Sequence, residues 1–423
     1  MEYQRRVVDS LLDELMPELP AIAIEGAKAV GKTATASRRA STVLSLDDPR
    51  LREVVAADPD MITRLDPPVF VDEWQLEPAI WDRVRRGVDA DPGAGGRFLL
   101  AGSASVAPGT RIHSGAGRIV RVTMRPMSLQ ERNLEQATVS LADLFTGDSK
   151  VQGGSSLELP DYVDEILASG FPGIRSASSA SRNRLLDSYL DRIVDSDMRE
   201  NGIEVRRPAA LRAWMHAYAA ATATTADYTA ILNAATAGES DKPSRITVAT
   251  YREHLMRLFI LDPVDAWTAS FSPLKRLTVS PKHFLVDPAL AARLVGVGKS
   301  GLLVGEGLRV SATTGTWLGA LFESLAAQSV RIYADGMDAR VGHLRTKRGD
   351  HEIDLIVETN NLDCVAFEVK LNPVVNDHDV KHLHWLKGQI GDRLKDAVVL
   401  TTGPFAYRRT DGIAVVPLAL LGP

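Results

Sequence analysis

Four short apolar runs, AIAIEG (21–26), TVLSL (42–46), PVFVDE (68–73) and FLLAGS (98–103), recur early in the chain and are separated by amphipathic or turn-rich stretches. Runs of this length, apolar on both faces and interleaved with helical patterns, predict an α/β module with a mainly parallel sheet. Residues 160–235 lose the strand signal and become Ala- and Leu-rich with helical spacing. A second helical pattern, RITVATYREHLMRLFIL (245–261), places Val248, Tyr251, Leu255 and Leu258 on one core-facing stripe. Strict alternation returns at 351–370. Ile353, Leu355 and Val357 fall on one face of a strand, with Glu352, Asp354 and Glu358 on the other. Val365, Phe367 and Val369 then oppose Ala366, Glu368 and Lys370, and the Asn360–Asn361 turn lets the two strands pair antiparallel. Asp354, Glu368 and Lys370 are thereby expected on one face.

The Gly/Ser-rich stretch TGDSKVQGGSS (146–156) is expected to be a linker, and another Gly-rich interval precedes the last unit. A chain of 423 residues exceeds one ordinary core. The expected division is 1–150, 157–225, 226–298 and 310–423. A formal net charge of −5 argues against a surface uniformly coated for nonspecific nucleic-acid binding, while leaving room for a local basic groove. The single cysteine, Cys364, excludes an internal disulfide. Acidic residues interrupt the apolar spacing of the first twenty positions, and no apolar run approaches a bilayer span, so a cytoplasmic protein without a membrane partner is expected.

The segment GAKAVGKT (26–33) follows a strand and fits G-x-x-x-x-G-K-[ST]. The pattern makes Gly26, Ala27, Lys28, Ala29, Val30, Gly31, Lys32 and Thr33 a cradle for the phosphates of ATP. Backbone N–H groups wrap the anion, Lys32 reaches the β- and γ-phosphates, and the Thr33 hydroxyl ligates magnesium. The strand PVFVDE ends in Asp72, an acidic partner for the same ion, and Glu73, a carboxylate suited to polarise water. Ser103, at the end of FLLAGS, is a candidate to sense the γ-phosphate or orient the attacking water. Arg118, in GAGRIVRV, is a candidate contact to the γ-phosphate within the same or a neighbouring subunit.

At the other end of the chain, Asp354 and Glu368 are candidate ligands for magnesium or manganese, with Lys370 to orient water or stabilise charge. Asp followed by E-x-K on the next strand resembles the PD-(D/E)XK nucleases. Glu323 shares a helical face with Ala320 and Ala327, and could supply a third, helix-borne carboxylate of the kind found in such nucleases. The alternative is a surface ribbon with weak cross-strand ion pairs. His351, His378, His382 and His384 lack a zinc spacing.

GAKAVGKT, PVFVDEWQ, FLLAGSAS and GRIVRVTMRPMSLQE (117–131) together resemble the prokaryotic AAA-type ATPases that carry a carboxy-terminal domain of formerly unknown function. SGFPG (169–173), YLDRIVDSDMRE (189–200) and KHFLVDPALAARLVG (282–296) extend the likeness over nearly the whole chain. The resemblance implies a multi-domain α/β protein. It would comprise a P-loop AAA-type module, a helical and winged-helix middle, and a restriction-endonuclease-like α/β domain, with assembly into a homo-oligomer. ADYTAILNAA (226–235), the helix after it, the strand-like LDPVDAW (261–267) and the basic turn SPLKRL (272–277) are the expected winged helix. DNA or RNA would be its partner, the alternative being a winged helix that only packs between the ATPase module and the tail. Three activities compete: an ATPase powering a nuclease, a nucleotide-dependent DNA-binding switch with a non-cleaving nuclease-like domain, and a small-molecule kinase, which the long tail disfavours.

Overall fold

The computed structural model describes residues 3–102, 115–147, 149–200, 202–236, 243–268, 280–304, 317–346 and 349–423. They fall into two compact units, one of Met1–Pro126, Asp191–Arg206 and Thr250–Ile260, the other of Met127–Leu190, Arg207–Ala249 and Leu261–Pro423.

The first unit is built on strands β1 (Ala21–Glu25), β2 (Thr42–Ser45), β3 (Val69–Asp72), β4 (Phe98–Gly102) and β5 (Val120–Thr123), in the order β2-β3-β4-β1-β5. Every pairing is parallel. Strands covered on both faces need apolar residues at consecutive positions, and Ala21 to Ile24, Val69 to Val71 and Phe98 to Ala101 are buried throughout. The helix Ala79–Ala90 adds Ile80, Trp81, Val84 and Val88, spaced to form one buried stripe, and Trp81 packs against Trp74 with ring centroids 4.6 Å apart. The four predicted strands are present. β5 was not among them, because it is a four-residue edge strand in which only Val122 is buried.

In the second unit a mixed sheet forms from β7 (Gly153–Gly154), β8 (Arg340–Arg345), β9 (Glu352–Glu358), β10 (Cys364–Val369), β11 (Leu394–Thr401), β12 (Phe405–Arg408) and β13 (Ala414–Pro417). Its order is β7-β12-β13-β11-β10-β9-β8. β9 and β10 pair antiparallel, with Val365 opposite Val357 and Phe367 opposite Leu355, which is the predicted sharing of faces. The surface-ribbon alternative fails, since Ile353 through Glu358 and all of β10 are buried. The long helix Trp317–Asp335 covers one side and the helix Asp377–Ile390 packs against β9, β10 and β11. A separate two-strand sheet joins β6 (Val139–Ser140) to β14 (Leu421–Gly422) in parallel.

The remaining described part of this unit is largely helical, with Pro208–Ala220 packed on both Tyr228–Ala235 and Pro288–Val295. Asp287 caps the last of these through the Ala289 N–H at 2.9 Å, and its other oxygen accepts from the Gly170 N–H at 2.6 Å. Arg132, with a fully buried side chain, donates to the Glu165 carboxylate and backbone carbonyl, and Arg175 grips the same carboxylate. The helix Arg245–Arg257 is divided between the units after Ala249, and Val248 of the second unit and Tyr251, Leu255 and Leu258 of the first are buried as expected. LDPVDAW forms isolated bridges, Leu261 with Leu285, Val264 with Lys282 and Ala266 with His343 of β8, whereas SPLKRL lies outside the described residues.

Leu325, fully buried in the middle of the helix Trp317–Asp335, should cost about 2–5 kcal/mol of stability when replaced by Ala. The check is a lower urea midpoint at unchanged helix content.

Candidate functional site

The loop after β1 bends sharply because three of its residues take left-handed or otherwise unusual backbone angles: Gly26 at φ 154°, Ala29 at 65° and Gly31 at 110°. At Gly26 a Cβ would stand 2.1 Å from the Met124 carbonyl oxygen, so only glycine lets the loop pass that backbone. Gly31 then starts the helix Lys32–Ser37. The Lys32 ammonium donates to the carbonyls of Gly26 and Ala27, each at 2.8 Å. Burial lowers it to about 8, against the opposing pull of Glu73 and Asp72.

Asp72 ends β3 beside this loop, and its Oδ2 accepts from the Thr33 hydroxyl at 2.7 Å. Burial raises the Asp72 carboxyl, with the Thr33 bond acting the other way. A hydroxyl and a carboxylate oxygen in contact suit a hard divalent cation, so Thr33 and Asp72 fit the role of magnesium holders. Such an ion supplies charge neutralisation between the β- and γ-phosphates. Glu73 follows in the left-handed region at φ 51° and its carboxylate accepts from the Gln75 side-chain amide. Lys28 of the loop is ion-paired with Asp197 at 2.6 Å and with Glu200 at 3.4 Å, a clamp that the motif does not announce. Asp197 closes a π-helical turn, Ile193–Asp197, a distortion found frequently at functional sites.

Lys32, Thr33, Asp72 and Glu73 therefore converge. Arg118 does not join them: it precedes β5 at the end opposite the loop, and its guanidinium pairs with Asp89 at 2.9 Å. Ser103 lies outside the described residues.

In the second unit, Asp354 on β9 and Glu368 on β10 are buried on the shared face, with Lys370 donating to Glu368 Oε2 at 2.9 Å. Glu323 arrives from the helix Trp317–Asp335. A residue without a predicted role completes the cluster. Lys282, 1% exposed, donates to Glu323 Oε1 at 2.8 Å and to Asp354 Oδ1 at 2.9 Å, with Glu352 at 3.4 Å. The Val369 N–H holds the other Asp354 oxygen at 2.9 Å. Burial together with the Asp354 charge raises Glu323 and Glu368, whereas the Lys282 and Lys370 ammonium groups hold Asp354 down despite its burial. Among the described residues no group of three or more His, Cys, Asp or Glu side chains is placed to hold a metal ion. The carboxylates expected to share a metal share an ammonium instead, so they do not fit the expected magnesium or manganese site. Nothing local in KHFLVD marks this role, since both hydrogen-bonded partners lie far away in the chain.

Residues 18–133 match the model of an AAA domain. Two further stretches, 159–301 and 318–421, match domains of unknown function, DUF8612 and DUF4143. Among solved structures, a Walker-type ATPase of Pyrococcus abyssi aligns at 14% identity and a TM-score of 0.41, covering 69% of this chain and 96% of that one. No curated protein matches the chain. The amino-terminal segment is thus a P-loop ATPase domain of the AAA type, and its ligand is ATP. Among the described residues no helix is long and apolar enough to cross a membrane.

The low Lys32 value has a measurable sign. A folded-state value below the unfolded one releases protons on folding between pH of about 8 and the ordinary lysine range, so that stability from this group rises with pH there. A bound triphosphate reverses the shift. ATP binding at pH 8.5 should take up protons, seen as a buffer-dependent calorimetric heat that Lys32→Met abolishes.

Proposed function

We propose that the chain is a magnesium-dependent ATP hydrolase coupled to a nuclease-like, nucleic-acid-directed carboxy-terminal domain. The contact between the Thr33 hydroxyl and the Asp72 carboxylate beside Lys32 carries the first half of this proposal. It puts an ion-holding pair next to the phosphate loop, with Glu73 one residue further on to take a proton from the attacking water. Arg118, exposed and remote from the loop of its own chain, belongs in this scheme to a subunit contact. In a homo-oligomer it would reach the γ-phosphate of the neighbouring copy, and Ser103 would sense that phosphate in its own.

The second half rests on Asp354, Glu368 and Lys370 sharing one buried face of an antiparallel pair beside the Glu323 helix, a disposition similar to PD-(D/E)XK nucleases and their restriction-endonuclease-like fold. Two forms compete, and Lys282 favours the one without cleavage, because its ammonium already occupies the carboxylates that a metal would need. Hydrolysis then drives a switch in nucleic-acid binding, with the helix Arg245–Arg257 and the segment after it acting as a winged helix. DNA and RNA are both admissible ligands on this proposal.

Glu73→Gln should lower the ATP turnover number by about 100-fold or more while leaving ATP affinity within a few-fold, since a general base contributes about 10²–10⁴ to rate. Equal loss of affinity and turnover would instead make Glu73 a binding residue. Labelled DNA and RNA incubated with magnesium or manganese, with and without ATP, should be bound and recovered intact. Cleavage that disappears in Asp354→Ala and Lys370→Ala would reinstate the nuclease.

A further inference from the structure

We propose that Lys282 is the resident cation of the carboxy-terminal carboxylate pocket, a built-in ammonium standing where a divalent metal would otherwise bind. The proposal deepens the non-cleaving form of the function given above and rests on it for its biological meaning.

The position of Lys282 is set by backbone. Its N–H donates to the Val264 carbonyl at 2.8 Å and its carbonyl accepts from the Val264 N–H at 2.9 Å. From that anchored point the side chain runs through the interior, with no solvated stem, and delivers its charge between an oxygen of the helix-borne Glu323 and one of Asp354 on β9. Both Asp354 oxygens are thereby engaged, one by the ammonium and one by the Val369 N–H. A metal reaching Asp354 would have to share one of these oxygens with the ammonium or the N–H.

A second observation shows that the pocket keeps a vacant acceptor. Glu368 places Oε2 on Lys370, while its Oε1 is buried with no hydrogen-bond partner. An orphaned carboxylate oxygen in the interior is unfavourable and calls for an ion or a proton. The Lys282 ammonium is engaged by Glu323, Asp354 and Glu352 and makes no hydrogen bond to it. Two cations cannot share these oxygens at contact distance without strong repulsion in a poorly solvated site. Removing the lysine charge would leave Glu323, Asp354 and the free oxygen of Glu368 uncompensated, and a divalent ion that drew these side chains together would relieve all three.

Manganese binding to the full chain, read by electron paramagnetic resonance of the free ion, tests this directly. All arms carry Asp72→Asn to silence the amino-terminal ion site. The Lys282 protein should show no manganese binding that depends on Glu368. Lys282→Met, which keeps the stem and removes the charge, should gain one site at least ten-fold tighter, lost again on adding Glu368→Gln. A folded Lys282→Met protein with no gain would overturn the proposal. So would tight binding in the Lys282 protein that Glu368→Gln removes. Should Lys282→Met fail to fold, thermal unfolding of the Lys282 protein decides. An unmoved midpoint on adding manganese supports the assignment, and a rise that vanishes in Glu368→Gln defeats it. Gel-shift binding of DNA and RNA by the same proteins separates the two claims, because its absence removes the nucleic-acid role and leaves the cation assignment standing.

Discussion

An ammonium group leaves water only when anions wait for it, and in the second unit that requirement ties three separate parts of the chain together. Lys282 comes from an extended segment bridged to Val264, Glu323 from the helix Trp317–Asp335, and Asp354 from the second strand of a seven-stranded sheet. Burying any one of these charges alone would cost several kcal/mol after relaxation, roughly, and removing a single partner leaves the others uncompensated. The cluster therefore acts as a register pin: helix, bridge and sheet must meet at these positions. Its protons belong to the group as a whole. Asp354 stays charged because two ammonium ions face it, and burial together with that charge pushes Glu323 and Glu368 toward the neutral form.

The two buried lysines make an instructive pair. Lys32 rests on the neutral carbonyls of Gly26 and Ala27, with carboxylates near but not in hydrogen-bond contact, and burial wins, so the ammonium is destabilised. Lys282 rests on carboxylates directly, and attraction overrides a still deeper burial, so its value moves up. The first is a cation awaiting an anion, the second a cation already matched. A binding site and a closed site are thus built from one residue type, and the difference lies wholly in what the nitrogen touches.

Sequence periodicity was most informative where strands are buried on both faces. β1 to β4 stand out as apolar runs because a parallel sheet demands them, and the phosphate loop carries its own spacing. The pairing of β9 with β10 was legible because alternation fixes which residues share a face. β5 was not, since an edge strand with a single buried side chain leaves almost no pattern. Lys282 escaped for a different reason. Its partners lie 41 and 72 residues away, and an ion pair of that kind has no local signature. The clamp of Lys28 on Asp197, 169 residues apart, was hidden in the same way.

The small sheet that joins β6 to β14 sets a further condition, on how the molecule is made. Val139 and Ser140 pair with Leu421 and Gly422, and the Ser140 hydroxyl bonds to the Pro423 carbonyl across 283 residues of chain. β7 waits likewise for β12. Closing loops of that length costs entropy before any contact repays it. On the ribosome, residues 139–154 emerge long before their strand partners exist, so the second unit can complete its hydrogen bonding only once residues 421–422 have emerged, whereas the five strands of the first unit all lie within the first 123 residues and can pair early.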